Sequence, residues 1–211
     1  MKQEDTKRKI LACALELFSE RGYDAVSVGE IAAAVGIRAP SLYNHFSGKQ
    51  AIFDAIVSDV AAHYARDTDR IHIHVEDAGR DTPEFAAMTE DGLCASVCAL
   101  FRYSLHDEIV RRFRRMMTIE QFRSPDLAAL YSGRYADRIV AYHTQMFRSF
   151  IARGILRAED PEALALLYVA PVITLLGICD RQPEREEECT ARLMAHIRLF
   201  FRTYHLSEVN A

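Results

Sequence analysis

Residues 27–49 read SVGEIAAAVGIRAPSLYNHFSGK, and they decide the fold. Ser27, followed three positions later by Glu30, forms a capping box: the hydroxyl accepts from the backbone three residues on, and the carboxylate reaches back. The helix opened there carries Val28, Ile31, Ala32 and Val35 on one face, the spacing of a buried stripe. Gly36 falls where a helix ends in a left-handed residue, a conformation glycine adopts without steric cost. Pro40 suits the first turn of a following helix, where a missing N–H costs nothing. Leu42 and Phe46 turn that helix toward a core and leave Arg38, Ser41, Tyr43, Asn44 and His45 on its other faces. Ser47 with Gln50 repeats the capping box ahead of a helix beginning at Lys49. Helix, glycine corner and short polar-faced helix together make a helix-turn-helix.

The rest of the chain bounds what such a motif serves. With 211 residues, half of them hydrophobic and 27% charged, the protein buries a sizeable core and is globular, with one or two domains. A net charge of −4 does not favour nucleic acid over the chain as a whole. Its placement is uneven: Lys2, Lys7, Lys9 and Lys49 are the only lysines, and every later cationic residue is arginine. A phosphate-facing amino end on an acidic body is one reading of that, and a simple scarcity of lysine is the other. The amino end is charged and lacks the apolar run of a secretory signal. The longest apolar stretch, 163–179, falls just short of a membrane span and contains Pro171 and Thr174, so it reads as a buried helix. Five cysteines without paired spacing suit a reducing cytoplasm. No glycine-rich phosphate loop, Gly-x-Ser-x-Gly or locally supported carboxylate pair is present, so neither an enzyme nor a cofactor is expected.

Taken in order, residues 1–5 read as a frayed arm and 6–21 as a first helix, with Ile10, Ala14, Leu17 and Phe18 on its packing face and Gly22 as its stop. From Lys49 a longer helix runs through Ile52, Phe53, Ile56, Val57 and Val60 toward Tyr64, and 71–80 reads as a loop ending at Gly79. Pro83 after Thr82, Pro125 after Ser124 and Pro161 after Asp160 each combine a good cap with proline at the first helical position. Pro183 precedes the acids Glu184, Glu186, Glu187 and Glu188, favourable at a positive helix start, with Arg198 and Arg202 near the far end. These signals predict helices over 82–105, 106–121, 125–153, 161–180 and 183–204, with Pro171 kinking the fourth of them. No strand pattern competes, and the expected fold is all-α with about nine helices.

The first quarter of the chain resembles the DNA-binding domain of TetR/AcrR-type transcriptional regulators. The resemblance is carried by Ile10, Ala14, Leu17 and Phe18, by Gly22-Tyr23, by Ile31-Ala32 and Val35-Gly36-Ile37, and above all by Ser41-Leu42-Tyr43-Asn44-His45-Phe46 followed by Lys49. It implies a helix-turn-helix DNA-binding domain over 1–48 and a helical effector-binding and dimerisation domain over 49–211. In the family the helix from Lys49 joins the two, its start at DNA and its far end at the ligand.

The family pattern places Arg38, Ala39 and Ser41 near bases; an arginine can pair bidentately with guanine. Tyr43, His45 and Lys49 are the expected phosphate contacts, and Ser27 offers its N–H or hydroxyl at another helix start. Ala39-Pro40-Ser41 departs from the small or glycine residue with a nearby threonine that many members carry, which leaves the base preference unread. Aromatic and sulfur-bearing positions on the middle helices supply a candidate lining for a hydrophobic or aromatic effector: Tyr64, Met88, Cys94, Cys98, Phe101, Met117, Phe122, Tyr142, His143, Met146 and Tyr168. Cys94 and Cys98, one helical turn apart, are otherwise small buried thiols or, with His72 and His74, a metal or thiol sensor. Arg111, Arg112, Arg114 and Arg115 read as a solvated helix face, the other reading being contact with the DNA-binding head or an anionic ligand.

The last two helices are more apolar than a small body needs. By family analogy Leu175, Leu193, Ile197, Phe200 and Tyr204 form a homodimer interface, the other reading being that both helices are core. The expected function is a cytoplasmic, ligand-responsive regulator, by family habit a repressor, which binds a near-palindromic operator in double-stranded DNA as a dimer and leaves it when a small effector binds. The rivals are a constitutive or architectural DNA-binding protein, and a helical small-molecule-binding protein or enzyme that keeps the head as a scaffold.

Overall fold

The computed structural model describes residues 2–70, 73–74, 77–123 and 125–206, without the side chains of Lys2 and Gln3. Its helices are α1 (Lys2–Arg21), α2 (Val28–Val35), α3 (Ala39–Tyr43), α4 (Lys49–Asp69), α5 (Ala78–Ala86), α6 (Glu90–His106), α7 (Glu108–Glu120), α8 (Pro125–Ser132), α9 (Arg138–Ala152), α10 (Pro161–Arg181) and α11 (Glu186–Tyr204). Gly133–Asp137 widen into a π-helical turn between α8 and α9, and Pro183–Arg185 make a 3-10 turn before α11. The fold is all-α; among the described residues the extended pairing is a lone bridge from Leu156 to His205. The chain divides into two compact units, Met1–Tyr64 with Asp107–Tyr131, and Ala65–His106 with Ser132–Ala211.

In the first unit α1 packs on both α2 and α7, which is why Leu15 is buried beside the expected Ile10, Ala14 and Phe18, while Leu17 is only half-buried. Ile52, Phe53, Ile56 and Val60 of α4 are buried, as the pattern from Lys49 predicts. The second cover on α1 also draws in α7: Phe113, Met116 and Met117 are buried, and so is Arg114, which the sequence placed on a solvated face. Arg111 and Arg115 do face solvent, and Arg112 pairs with Glu16 of α1 at 3.1 Å and with Glu108 at 2.8 Å.

In the second unit α10 packs against α6, α9 and α11, and α5 lies on α9. The core runs through Phe101, Phe147, Tyr168, Leu193, Ile197 and Phe200. This corrects the expected dimer face. Leu175, Leu193, Ile197 and Phe200 are buried inside a single chain, and Tyr204 packs on Phe200 with ring centroids 5.0 Å apart. The helices carry apolar residues on two sides, and the side selected from sequence is the one that intrachain packing takes.

Other boundaries move for local reasons. Residues 2–5 are helical, with Glu4 and Asp5 at the positive end of α1. Asp77 accepts from the Arg80 N–H and opens α5, so Gly79 lies in a helix and Pro83 sits inside it rather than at a start. The chain restarts at α6, where the Thr89 hydroxyl accepts from the Gly92 N–H at 3.2 Å. Asp107 caps α7 through the Val110 N–H at 2.9 Å, and Asp160 caps α10 ahead of Pro161 as predicted. Ser124, the expected cap of α8, lies outside the described residues. The helix cap expected from the box at Ser47 lies one residue later, because the Gly48 carbonyl accepts the first helical bond, from Ile52. Gln50 turns instead to the Tyr23 hydroxyl and to Asp54.

Candidate nucleic-acid interface

The segment that presents side chains outward is built from short-range signals. The Ser27 hydroxyl accepts from the Glu30 N–H, and the Glu30 carboxylate accepts from the Ser27 N–H at 2.8 Å. Those bonds, with Arg21 at 2.7 Å, hold the Glu30 carboxyl down at about 2. Gly36 ends α2 at φ 78, and Ile37 donates back to the Ala32 carbonyl at 3.0 Å, the double closure of a glycine-ended helix. Arg38 is extended at the N-cap of α3, and Pro40 occupies its first turn.

The short helix that follows is divided in two. Leu42 and Phe46 are buried, while Arg38, Ser41 and Tyr43, the last 55% exposed, face out. Ala39 and His45 lie half-buried at the edge of that face. Lys7 sits 5.4 Å from the Phe46 ring, so a cation of α1 borders the same end. A basic, hydroxyl-bearing surface on a rigid apolar base suits major-groove contact, where phosphate bonds fix register and side chains read base edges.

Two expected phosphate contacts are already engaged inside the protein. Lys49 Nζ donates to the Tyr23 carbonyl at 2.8 Å and the Val26 carbonyl at 3.0 Å, and lies 4.3 Å from the Tyr23 ring. The Ser27 hydroxyl is taken up by its own capping box. Ser27 holds the start of α2 as its capping box predicts, while the grip of Lys49 on the preceding turn is a role its sequence position did not disclose.

The expected ligand lining is only partly brought together. Cys94, Cys98, Phe101, Met146 and Tyr168 lie in the core of the second unit, with Tyr142 packed against it. The His143 ring meets Tyr142 edge-on and Tyr168 at a tilt, each with centroids 5.1 Å away, and desolvation lowers its pKa to about 4. Met88, half-buried, accepts from the Ser96 hydroxyl. Tyr64, Met117 and Phe122 belong to the first unit, Met117 sealed in its core and Phe122 90% exposed. Burial raises both the Cys94 and the Cys98 thiol, and among the described residues neither joins a metal-type cluster. His72, their suggested partner, lies outside the described residues.

Sequence reasoning missed Asp81. Its buried carboxylate accepts from the His74 N–H at 2.6 Å and meets the Tyr142 hydroxyl and the His74 ring, whose other nitrogen is 2.9 Å from Asp69. Burial first, and then Asp81, pushes the Tyr142 phenol far up. No pattern marked this residue, because the stretch before Pro83 read as a loop.

Two family models match the chain: bacterial regulatory proteins of the tetR family over residues 10–56, and the C-terminal domain of AefR-like transcriptional repressors over 92–206, more than half of its length. The chain belongs to the TetR family of transcriptional regulators. It is therefore a DNA-binding regulator and not an enzyme. Among curated relatives, the transcriptional activator FasR of Mycolicibacterium smegmatis is 29% identical over 127 residues, 60% of this chain and 52% of FasR. IcaR of Staphylococcus aureus, the negative regulator of the biofilm operon icaADBC, is 45% identical over 51 residues, 24% of this chain and 27% of IcaR. The match thus spans about half of one relative and a quarter of the other. Among solved structures, a complex of SmeT with triclosan has TM-score 0.70 at 22% identity and covers 98% of this chain and 95% of SmeT. SmeT is the repressor of the Stenotrophomonas maltophilia multidrug efflux pump SmeDEF. At that identity the likeness concerns the fold.

Proposed function

We propose that this TetR-family regulator is a cytoplasmic, ligand-responsive repressor that binds a near-palindromic operator as a homodimer. The observation that carries the reading is the division of the segment around α3: Leu42 and, just beyond the helix, Phe46 are buried, while Arg38, Ser41 and Tyr43 face outward. DNA binding resides in residues 1–48, with Ser27, Ala39, His45 and Lys49 completing or bracing the contact surface, and effector binding and dimerisation reside in 49–211. Repression follows the AefR-like repressors, whose C-terminal domain matches residues 92–206, and IcaR, named as a negative regulator.

A second copy of the chain covers the outward side of the last two helices. Leu166 and Leu167 of α10 and Leu199 of α11 are exposed in the single chain, turned away from the residues buried in its core, and Met194 is exposed on the flank of α11. Only a third of the apolar window of α10 is buried within the chain, which favours a protein partner on the remainder. Two heads held by such a dimer reach successive major grooves when their centres are ~34–36 Å apart or a multiple of that.

The effector is a small hydrophobic or aromatic molecule accommodated among His143, Tyr142, Phe101, Met146 and Tyr168. It releases DNA only through a difference in affinity between the two states, typically ~1–3 kcal/mol. The test is anisotropy with a duplex from upstream of the protein's own gene, titrated across salt. Tight, selective binding with a steep salt slope is expected. Binding no stronger than to random DNA overturns the operator reading, and equal effector affinity with and without operator overturns the switch.

A further inference from the structure

We propose that Glu120, at the end of α7, is the positioning residue that fixes the α1–α2 corner and so sets the aim of the recognition helix. Its carboxylate is fully buried, and Oε1 accepts from the Tyr23 backbone N–H at 2.8 Å. The two residues are 97 positions apart in sequence, yet both belong to the first compact unit.

The corner is shaped to this oxygen. Gly22 closes α1 at φ +82, and a Cβ added there would lie 2.8 Å from Glu120 Oε1, so glycine answers both a left-handed backbone and a close approach. Tyr23 is then gripped from several sides. Its carbonyl accepts from Lys49, its ring packs on Phe18 and Phe53 at 5.2 and 5.3 Å, and its hydroxyl donates to Gln50 at 3.0 Å. The same Lys49 ammonium holds the Val26 carbonyl, one residue before the cap of α2. One set of contacts therefore runs from α7 through Tyr23 and Lys49 to the entry of α2, and the closure at Gly36 passes that direction to α3. Arg123, just past the end of α7, adds a second strap to Asp24 at 3.0 Å.

The state of the carboxylate argues for geometry over stability. Oε2 is sealed from solvent and, among the described residues, has no hydrogen-bond partner; Arg123 Nε is 3.6 Å away. A buried carboxylate with one good bond and a distant cation contributes little net stability, and an apolar side chain of similar volume holds such a site as well or better. What an apolar residue does not provide is an acceptor aimed at one particular N–H, which is what a corner of fixed direction requires.

The experiment compares the full-length protein with Glu120→Ala and Glu120→Gln. The readouts are melting temperature, backbone hydrogen exchange over residues 22–30, and affinity for the upstream duplex against a scrambled one. Glu120→Ala is expected to speed exchange at the corner and weaken selective binding by about tenfold, as loss of a hydrogen bond to a charged acceptor implies. Its melting temperature should fall too, because the Tyr23 N–H loses its acceptor beside a new cavity, so Glu120→Gln, which keeps the volume and an acceptor, is the variant that separates positioning from stability. Glu120→Gln keeps an acceptor oxygen and should restore both exchange and affinity to within about threefold. Unchanged corner exchange in Glu120→Ala overturns the proposal. So does a loss that Gln does not rescue and that follows the melting temperature, since that marks a merely structural residue. If the wild-type protein does not discriminate the duplexes, the operator reading fails, and the exchange data alone decide the role of Glu120.

Discussion

The recognition segment and the last two helices are both apolar on one side, but only the first is apolar on one side alone. Around α3 the burial of Leu42 and of Phe46, just past its end, leaves a polar remainder, so finding the core also finds the candidate contact surface. In α10 and α11 burial of Leu175, Leu193 and Ile197 leaves a second apolar face bearing Leu166, Leu167 and Leu199. An amphipathic pattern locates function when a helix has one face to hide; when it has two, the pattern says that there is a partner without saying where.

The largest effects should come from substitutions that separate those two faces. Leu193→Ala, inside the core, should destabilise the protein by about 2–5 kcal/mol in denaturant unfolding. Leu199→Ala, at a side chain 67% exposed, should leave unfolding at fixed subunit composition nearly unchanged and weaken self-association in sedimentation equilibrium. Equal destabilisation by the two, or no effect of Leu199→Ala on association, would erase the distinction between faces.

The head permits a similar separation of reading from bracing. Arg38→Ala should remove about 1–3 kcal/mol of discrimination between the operator and single-base variants and leave folding intact. Lys49→Ala should reduce affinity for every sequence and also lower stability, because its ammonium holds two backbone carbonyls. The salt slope separates its roles: a slope smaller by about one unit marks a direct phosphate contact, and an unchanged slope places its whole effect in the corner.

How much of this was legible follows from how local each signal is. The capping box at Ser27, the left-handed Gly36 and the proline of α3 depend on residues within a few positions of one another, and the chain forms them as written. Asp160 with Pro161 is read on the same terms. The grip of Glu120 on Tyr23 and of Asp81 on Tyr142 joins residues 97 and 61 positions apart, and no periodicity marks either carboxylate. Lys49 shows the intermediate case: its place in the motif was recognised, but its clamp on two carbonyls more than twenty residues back was not.

Acid should report the two units separately. His143 has its pKa lowered to about 4 from 6.5 by desolvation, so the unfolded chain takes up the proton first. Stability should therefore fall with pH between 6.5 and about 4, by at most about 1.4 kcal/mol per pH unit. His143→Gln should flatten that part of the profile of melting temperature against pH. A slope that survives the substitution assigns the effect to other groups.

The smallest effect lies at the box that opens the recognition segment. The Glu30 carboxyl is held at about 2, against an ordinary 4.5, by bonds from Ser27 and Arg21. Because the folded value is the lower one, the box contributes fully above the ordinary value and is lost as pH falls through about 2. Ser27→Ala removes the hydroxyl that caps α2 and should cost about 0.5–2 kcal/mol in unfolding. It should also move the Glu30 titration, followed by carboxyl NMR shifts, back toward its ordinary value. The backbone N–H of residue 27 survives the substitution and remains the largest single cause of the low value, so the return should be partial. A complete return would mean that the box closes only when both halves are present, and that the entry of α2 is a single cooperative unit; no movement at all would mean that Arg21 and the backbone hold the carboxylate without the hydroxyl.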